Sequence, residues 1–129
     1  MMAEQTPVRP EQFAREWAEA WNQLDVERVL AHFADAVVFT SPKAVDATGT
    51  ATVVGKEALR SYWRLALAQI QRLHFKVVRV LWDPGARTLV IIYDREVNGR
   101  RDRAAEILET SPDGVVVRGE VFYGLQPAS

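Results

Sequence analysis

The spacing of hydrophobic residues changes near the middle of the chain, from three or four positions in the first half to two positions in the second half. The first pattern begins at Pro10, a residue that suits the first turn of a helix. Its apolar positions are Phe13, Trp17, Trp21 and Leu24. Asp25 then has the side chain of an N-cap for a second, short helix. Two consecutive amphipathic helices are therefore predicted.

The segment after these helices is predicted to be a short strand, a loop and a third helix. Val37 to Thr40 is an apolar run typical of a strand. Residues Ser41 to Val54 are rich in Ala, Thr and Gly and hold little that can pack, so we expect a loop, with a short strand at Thr52 to Val54 as an alternative. Gly55 begins the third helix, whose apolar positions are Leu59, Tyr62, Trp63, Ala66, Leu67 and Ile70.

Alternation with a period of two predicts four strands in the second half of the chain. They are His74 to Trp82, Thr88 to Val97, Arg100 to Thr110 and Val115 to Leu125. Short turn sequences separate them, which favours an antiparallel meander. Three amphipathic helices need a sheet face to cover, so the predicted class is α+β.

The turn Asn98-Gly99 fixes the register of one hairpin. Both residue types tolerate the positive φ angles of a two-residue type I′ loop. Counting outward from this loop gives three successive pairs of opposite charge. The pairs are Glu96 with Arg101, Arg95 with Asp102, and Asp94 with Arg103. The same register places Glu106 opposite Ile91, so that a carboxylate lies among apolar side chains on the inner face of the sheet.

The register of the last hairpin is predicted in the same way. If residues 111–114 form its loop, Thr110 pairs with Val115 and Glu106 lies opposite Gly119, which leaves space for a ligand. Leu108 then lies opposite Val117. The opposite face of the sheet is more apolar than a solvated face normally is, and we expect a second subunit to cover it in a homodimer. Its apolar positions are Val90, Ile92, Ala105, Ile107, Val116 and Phe122.

Length and composition exclude several classes of function. The 129 residues fit one domain, residues 1–129. The net charge of -1 is spread along the chain, which argues against nucleic acid as a partner. The absence of cysteine suits a cytoplasmic protein. Met1 to Pro10 lack an apolar signal core, and no run suits a membrane span. His32 and His74 lack metal-ligand spacing, and no nucleotide fingerprint is present, so neither a metal nor a cofactor is expected.

Several short motifs, in their order along the chain, carry a resemblance to a known family. They are Ala20-Trp21-Asn22 with Asp25, Phe33-Ala34-Asp35-Ala36-Val37-Val38-Phe39, Gly55-Lys56-Glu57-Ala58-Leu59 with Tyr62-Trp63, and Gly99-Arg100-Arg101 with Glu106, Asp113-Gly114 and Tyr123. The chain resembles the SnoaL-like branch of the nuclear transport factor 2-like superfamily. The resemblance implies three N-terminal helices packed into the concave face of a curved antiparallel sheet, a cone with an internal apolar pocket, and dimerisation through the sheet.

The resemblance also tests two known chemistries of that superfamily. Steroid isomerases carry a tyrosine, an aspartate and a protonated aspartate at positions that match Trp17, Ser41 and Glu106 here. Only the last position keeps a carboxyl group, so a steroid-isomerase mechanism is not expected. Limonene epoxide hydrolases use an arginine followed two residues later by an aspartate; Arg95 matches the arginine, but Val97 stands at the aspartate position.

Glu106 is the candidate catalytic residue, because burial moves a carboxyl group toward the neutral proton donor. The alternative is a structural carboxylate paired with an arginine or a tyrosine hydroxyl. Arg95 with Asp102 is interpreted as a salt bridge at the pocket rim, and Trp21 and Trp63 as core. The residues predicted to bind a ligand are Trp17, Phe39, Ser41, Tyr62, Ile91, Tyr93, Arg95, Gly119, Val121 and Tyr123.

Three functions remain open at this point. The first is a protein that binds a small apolar or aromatic ligand, as a cofactor-independent lyase, isomerase, cyclase or dehydratase that transfers a proton through Glu106. The second is a non-catalytic binding or dimerisation module whose core is filled by tryptophans. The third is a protein-docking adaptor. The cavity beside Glu106 separates the first two: a volume on the order of a few hundred cubic ångströms favours ligand binding, and a closed core favours the module.

Overall fold

The computed structural model describes residues 8–127, which form four helices and six strands. The helices are α1 (Pro10–Asn22), α2 (Val26–Leu30), α3 (Ala44–Thr48) and α4 (Lys56–Ala68). The strands are β1 (Phe33–Thr40), β2 (Thr52–Val54), β3 (Leu73–Asp83), β4 (Thr88–Val97), β5 (Arg100–Thr110) and β6 (Val116–Gly124). No helix among these residues is long and apolar enough to cross a membrane. The Met1 to Pro10 segment, in which no signal core is predicted, lies mostly outside the described residues.

The six strands form one open, curved sheet in the order β2-β1-β6-β5-β4-β3. The predicted α+β class is confirmed, and α1 packs against β3 while α4 packs against β1 and β2. One pair departs from the predicted antiparallel arrangement, because β1 and β6 pair in parallel. Their pairing begins where the backbone N–H of Val116 donates to the carbonyl of His32. The parallel pair joins the two halves of the chain into one sheet.

The segment predicted as a loop, Ser41 to Val54, contains the short helix α3 as well as the strand β2. Helix α3 has five residues and buries only Ala44, so it shows no hydrophobic period. It ends at Gly49, whose φ of 81° is the left-handed conformation that glycine adopts without strain. The described residues therefore form four helices, one more than the three predicted. The Asp25 cap of α2 is confirmed, since its side chain accepts a hydrogen bond from the Arg28 N–H.

The register of the β4–β5 hairpin is confirmed along its whole length. Asn98 and Gly99 have φ angles of 51° and 84°, as a type I′ loop requires. The three predicted charge pairs all form. Their nitrogen–oxygen distances are 3.8 Å for Glu96 and Arg101, 2.8 Å for Arg95 and Asp102, and 2.7 Å for Asp94 and Arg103.

The register of the β5–β6 hairpin is wrong by two residues over most of its length. Thr110 pairs with Val116, and an irregularity between Glu109 and Thr110 then places Val121 opposite Glu106. The loop is therefore one residue longer than predicted, and the Ser111 N–H closes it by donating to the Val115 carbonyl. The irregularity also exchanges two side chains between the faces of the sheet. Val116, predicted on the outer face, is fully buried, and Val117, predicted on the inner face, is 39% exposed.

Candidate functional site

A cavity of about 120 Å³ lies between helices α1 and α4 and the concave face of the sheet. Most of its wall is aromatic or aliphatic, and its polar groups are few. The residues that line it are Trp17, Trp21, Phe33, Phe39, Ser41, Lys43, Tyr62, Trp63, Ala66, Leu67, Ile70, Leu73, Phe75, Tyr93, Arg95, Glu106, Val121 and Tyr123. An apolar cavity with a small set of convergent polar groups is the usual form of a small-molecule site.

Glu106 is the buried carboxyl group of this cavity, with 7% of its surface exposed. The Tyr93 hydroxyl donates a hydrogen bond of 2.8 Å to its Oε1 atom. Burial raises the pKa of Glu106 to about 7, while the Tyr93 hydrogen bond and the nearby Arg95 charge both oppose that rise. A carboxyl group with this pKa exchanges a proton readily at neutral pH.

Three other hydroxyl groups lie close to Glu106. Those of Tyr62 and Tyr123 each interact with the side chain of Ser41, which is itself 1% exposed. Burial raises the pKa of both tyrosines, for Tyr123 to about 12, and the negative charge of Glu106 adds to the rise in each case. These phenols therefore keep their protons at neutral pH and are hydrogen-bond donors for an oxygen atom inside the cavity.

Arg95 forms the polar wall at one end of the cavity. Its Nη1 atom lies 2.8 Å from both carboxylate oxygens of Asp102. The predicted salt bridge therefore forms, with the Arg95 side chain 10% exposed and that of Asp102 31% exposed. The guanidinium carbon lies 5.7 Å from the ring centre of Phe75 and 4.7 Å from that of Tyr123. The pairing with Asp102 and the two rings hold the guanidinium in one orientation.

A cluster of rings forms the floor of the cavity. Trp17 meets Tyr93 edge-on, with ring centres 4.8 Å apart, and stacks on Phe75 at 5.6 Å. Phe75 and Tyr93 are 4.9 Å apart. Such contacts fix the Tyr93 side chain, which is 2% exposed, and therefore fix the hydroxyl that bonds to Glu106.

The link between α4 and β3 forms part of the cavity wall, since Ile70 within it and Leu73 at the start of β3 line the cavity. Asn98, in the β4–β5 turn, holds this link in place. Its Oδ1 atom accepts from the N–H groups of Gln71 and Arg72, at 2.7 and 3.1 Å, and its Nδ2 donates to the Gln69 carbonyl at 3.0 Å. One residue thus shapes both the hairpin turn and this part of the cavity wall.

Most of the residues predicted to bind a ligand line the cavity together with Glu106, although their role in binding stays a prediction. The lining members of that set are Trp17, Phe39, Ser41, Tyr62, Tyr93, Arg95, Val121 and Tyr123. Ile91 and Gly119 do not line it. Ile91 is fully buried in the core. A Cβ atom at Gly119 would lie 2.8 Å from Phe39 and 3.1 Å from Leu108, so those side chains fill the space predicted for a ligand.

Several lining residues were not among the predicted set. Trp21 and Trp63, interpreted as core, are buried and also face the cavity. Phe75 lies opposite Arg95 in the β3–β4 pair, so the alternation of residues along β3 could have predicted it on the same face as Arg95. No sequence pattern predicts Lys43, because it lies in the segment without hydrophobic period. Among residues 8–127, no group of three or more His, Cys, Asp or Glu side chains is placed to hold a metal ion.

Comparisons with known proteins agree on the fold. A crystal structure of a SnoaL-like protein of unknown function from Burkholderia thailandensis is 34% identical, with a TM-score of 0.80 over 92% of this chain and 99% of that chain. A protein from Catenulispora acidiphila with a ketosteroid isomerase-like fold, in complex with trimethylamine, is 17% identical, with a TM-score of 0.70 over 91% and 88% of the two chains. TerC, co-crystallised with polyporic acid, is 14% identical, with a TM-score of 0.73 over 88% and 89%.

The family comparison covers most of the chain. No curated protein matches significantly. The model of the SnoaL-like domain matches residues 14–125, a range that includes every residue lining the cavity. This match and the 34% identity over 92% of the chain establish that the chain belongs to the SnoaL-like domain family of the nuclear transport factor 2-like superfamily.

Proposed function

We propose that this protein binds a small, oxygen-bearing apolar molecule in the cavity and moves a proton on it through Glu106. The observation that supports this most is the buried Glu106 carboxyl group, whose pKa of about 7 lets it exist in both protonation states at neutral pH. Three tyrosine hydroxyls and that of Ser41 line the same cavity as hydrogen-bonding groups, and that of Tyr93 bonds directly to Glu106. The remaining wall is apolar and suits the carbon skeleton of the ligand.

The volume of the cavity limits the size of the ligand. At about 120 Å³ it is smaller than the few hundred cubic ångströms expected for a ligand pocket, and slightly smaller than the roughly 150 Å³ of engineered apolar cavities that bind benzene. A single six-membered ring is therefore the largest group expected inside it. A polycyclic substrate would need Trp17 or Trp63 to move, and both are held in ring contacts.

The chemistry that fits these groups is proton transfer next to a carbonyl group. The ionised Glu106 removes a proton from the carbon beside a carbonyl, which leaves an enolate and a neutral Glu106. A tyrosine hydroxyl donates a hydrogen bond to the enolate oxygen, and the neutral acid returns the proton to the same or to a neighbouring carbon. A cofactor-independent isomerase, lyase, cyclase or dehydratase is built on such a step.

Structural relatives with bound molecules agree with a ligand role for this fold. One relative is described in complex with trimethylamine and another with polyporic acid. Their identities of 17% and 14% show the fold alone, so they support a ligand role for this fold without placing or naming the ligand of this protein.

A non-catalytic binding module is the second candidate, and one contact favours it. The hydrogen bond from Tyr93 satisfies one oxygen of Glu106 from within the protein, as a structural carboxyl group would be satisfied. On this alternative the variant Glu106→Gln binds ligands like the wild type, and no proton moves in either protein.

The experiment that separates these candidates follows hydrogen exchange on a small ketone. Wild-type protein and 2-cyclohexenone are incubated in D₂O, and NMR follows deuterium entering the carbons next to the enone. We expect exchange above the buffer rate with the wild type and none with Glu106→Gln, while calorimetry shows that both bind the ketone. Glu109→Gln is the matched control, because Glu109 lies on the same strand but pairs with Arg118 at the surface. Binding without exchange by the wild type would support the non-catalytic module.

We further propose that a second copy of the chain covers the outer face of the sheet. Neighbouring strands place Ile92, Ala105 and Phe122 in one row across this face, and Phe122 is 49% exposed. The next row contains Leu81, Val90 and Ile107. Exposed Arg79 ends the first row at β3, and exposed Glu120 ends the second row at β6. Two-fold pairing sets such opposite charges against each other around an apolar centre.

A further inference from the structure

The cavity is lined by more cationic than anionic side chains. Lys43 and Arg95 are its two cationic residues, and Glu106 is its one carboxyl group. Arg95 is neutralised by Asp102, whose carboxylate accepts both hydrogen bonds from Nη1. Glu106 is neutral in part at pH 7, because burial raises its pKa. Lys43 is therefore the cation of the wall that no carboxylate among the described residues pairs directly, while Asp102 and Asp46 act on it from a greater distance.

Lys43 has no ion pair within 4.0 Å among residues 8–127. Its Nζ atom lies 4.6 Å from the ring centre of Tyr123, and the guanidinium of Arg95 lies 4.7 Å from the same ring centre. Two cations thus share one aromatic ring at one end of the cavity. Partial burial and the charge of Arg95 lower the pKa of Lys43, and the more distant carboxylates of Asp102 and Asp46 oppose that fall without reversing it.

Lys43 and Glu106 lie at different depths in the cavity. The Lys43 side chain is exposed and starts just outside α3, whereas Glu106 is 7% exposed. Arg95, and not Lys43, is the cation whose charge acts on Glu106. A molecule that enters the cavity therefore meets Lys43 near the surface and Glu106 inside.

We propose, resting on the function proposed above, that the ligand is a small monoanion: a carboxylic acid with a single aromatic or unsaturated ring, whose carboxylate lies against the Lys43 ammonium. The ring then packs along Tyr123 into the apolar wall. The bound carboxylate supplies the anionic partner that Lys43 lacks. A cationic ligand is disfavoured in this arrangement, because it would lie beside Lys43 and Arg95.

Three probes of nearly equal shape test this assignment: benzoate, benzamide and benzamidinium, which carry charges of −1, 0 and +1. Calorimetric titration of the full chain at pH 7 should show benzoate binding at least about ten-fold more tightly than benzamide, with benzamidinium the weakest. The variant Lys43→Gln should lose this preference for benzoate and leave benzamide binding unchanged. Lys43→Arg should keep most of it.

Lys56→Gln is the matched control, since Lys56 pairs with Asp35 outside the cavity at 3.6 Å and its loss should change none of the three affinities. Equal affinities for benzoate and benzamide, tighter binding of benzamidinium, or a Lys43→Gln variant that keeps the preference would overturn the assignment while leaving the proposed binding function in place. Binding of none of the three probes would contradict both.

Discussion

The Tyr93 hydroxyl donates a 2.8 Å hydrogen bond to Oε1 of Glu106, and both side chains are more than nine-tenths buried. The two residues are diagonal neighbours on the inner face of the β4–β5 pair, because Tyr93 lies opposite Ala104 and Glu106 lies opposite Ile91. This contact keeps the carboxyl group oriented in the cavity. It does not neutralise the carboxyl group, and burial still raises its pKa to about 7.

The raised pKa predicts a pH dependence of folding stability. The folded chain holds the Glu106 proton more tightly than the unfolded chain, so the contribution of this group is most favourable below pH 4.5 and is lost as pH rises to about 7. The loss is on the order of 3 kcal/mol. Urea unfolding of wild type and Glu106→Gln between pH 4.5 and 8 measures it.

We expect the free energy of unfolding of the wild type to fall relative to that of Glu106→Gln as the pH rises through this range. The difference between the two proteins removes the contributions of other titrating groups, including His32, whose pKa is lowered by burial. Parallel pH profiles would show that Glu106 titrates like an exposed glutamate.

The sequence predicts the fold correctly where residues close together along the chain determine the local structure. The Asn98-Gly99 turn and the charge pairs beside it give the β4–β5 register, and the contact of Tyr93 with Glu106 is contained in that register as a diagonal pair. The β5–β6 register was not predictable, since its irregularity depends on Val116 donating to His32 on a strand distant in sequence. Lys43 was missed because a helix of five residues leaves no periodic pattern.

Asn98 is predicted to hold the α4–β3 link beside the cavity as well as the turn. Asn98→Gly keeps a residue that adopts positive φ but removes the three side-chain hydrogen bonds to residues 69–72. We expect a loss of about 1–2 kcal/mol in stability and faster hydrogen exchange at the Gln71 and Arg72 amides. Asn98→Asp keeps the acceptor oxygen and should retain much of that protection. Unchanged exchange in Asn98→Gly would mean that other contacts hold the link.

Gly119 is predicted to be required by the packing of Phe39. A Cβ atom there would lie 2.8 Å from the Phe39 ring, so Gly119→Ala should destabilise the fold by about 1–3 kcal/mol and push that ring toward the cavity. Urea unfolding measures the loss. Gly124→Ala is the control on the same strand, where the nearest atom is 3.9 Å away. Because leucine is smaller, Phe39→Leu should restore part of the stability, and a Gly119→Ala variant as stable as the wild type would contradict this packing.

The proposed dimer predicts the effect of a charge on the outer face of the sheet. Phe122→Glu places a carboxylate at the centre of the proposed interface, and light scattering at micromolar concentration should then change from the mass of a dimer to that of a monomer. Leu65→Glu is the control, because Leu65 is similarly exposed, at 54%, but lies on α4. A monomeric wild type would remove the proposal of a dimer.

The titration of Glu106 decides whether this residue can transfer a proton at neutral pH. Protein labelled with ¹³C at the glutamate carboxyl carbons is followed by NMR from pH 3 to 9, and Glu106→Gln identifies the resonance by its disappearance. We expect a midpoint near pH 7, because a buried carboxyl group with one tyrosine hydrogen bond resists ionisation. A midpoint near the ordinary value of 4.5 would show that Glu106 is ionised at neutral pH as a structural carboxylate, and would contradict its role as a proton donor and acceptor.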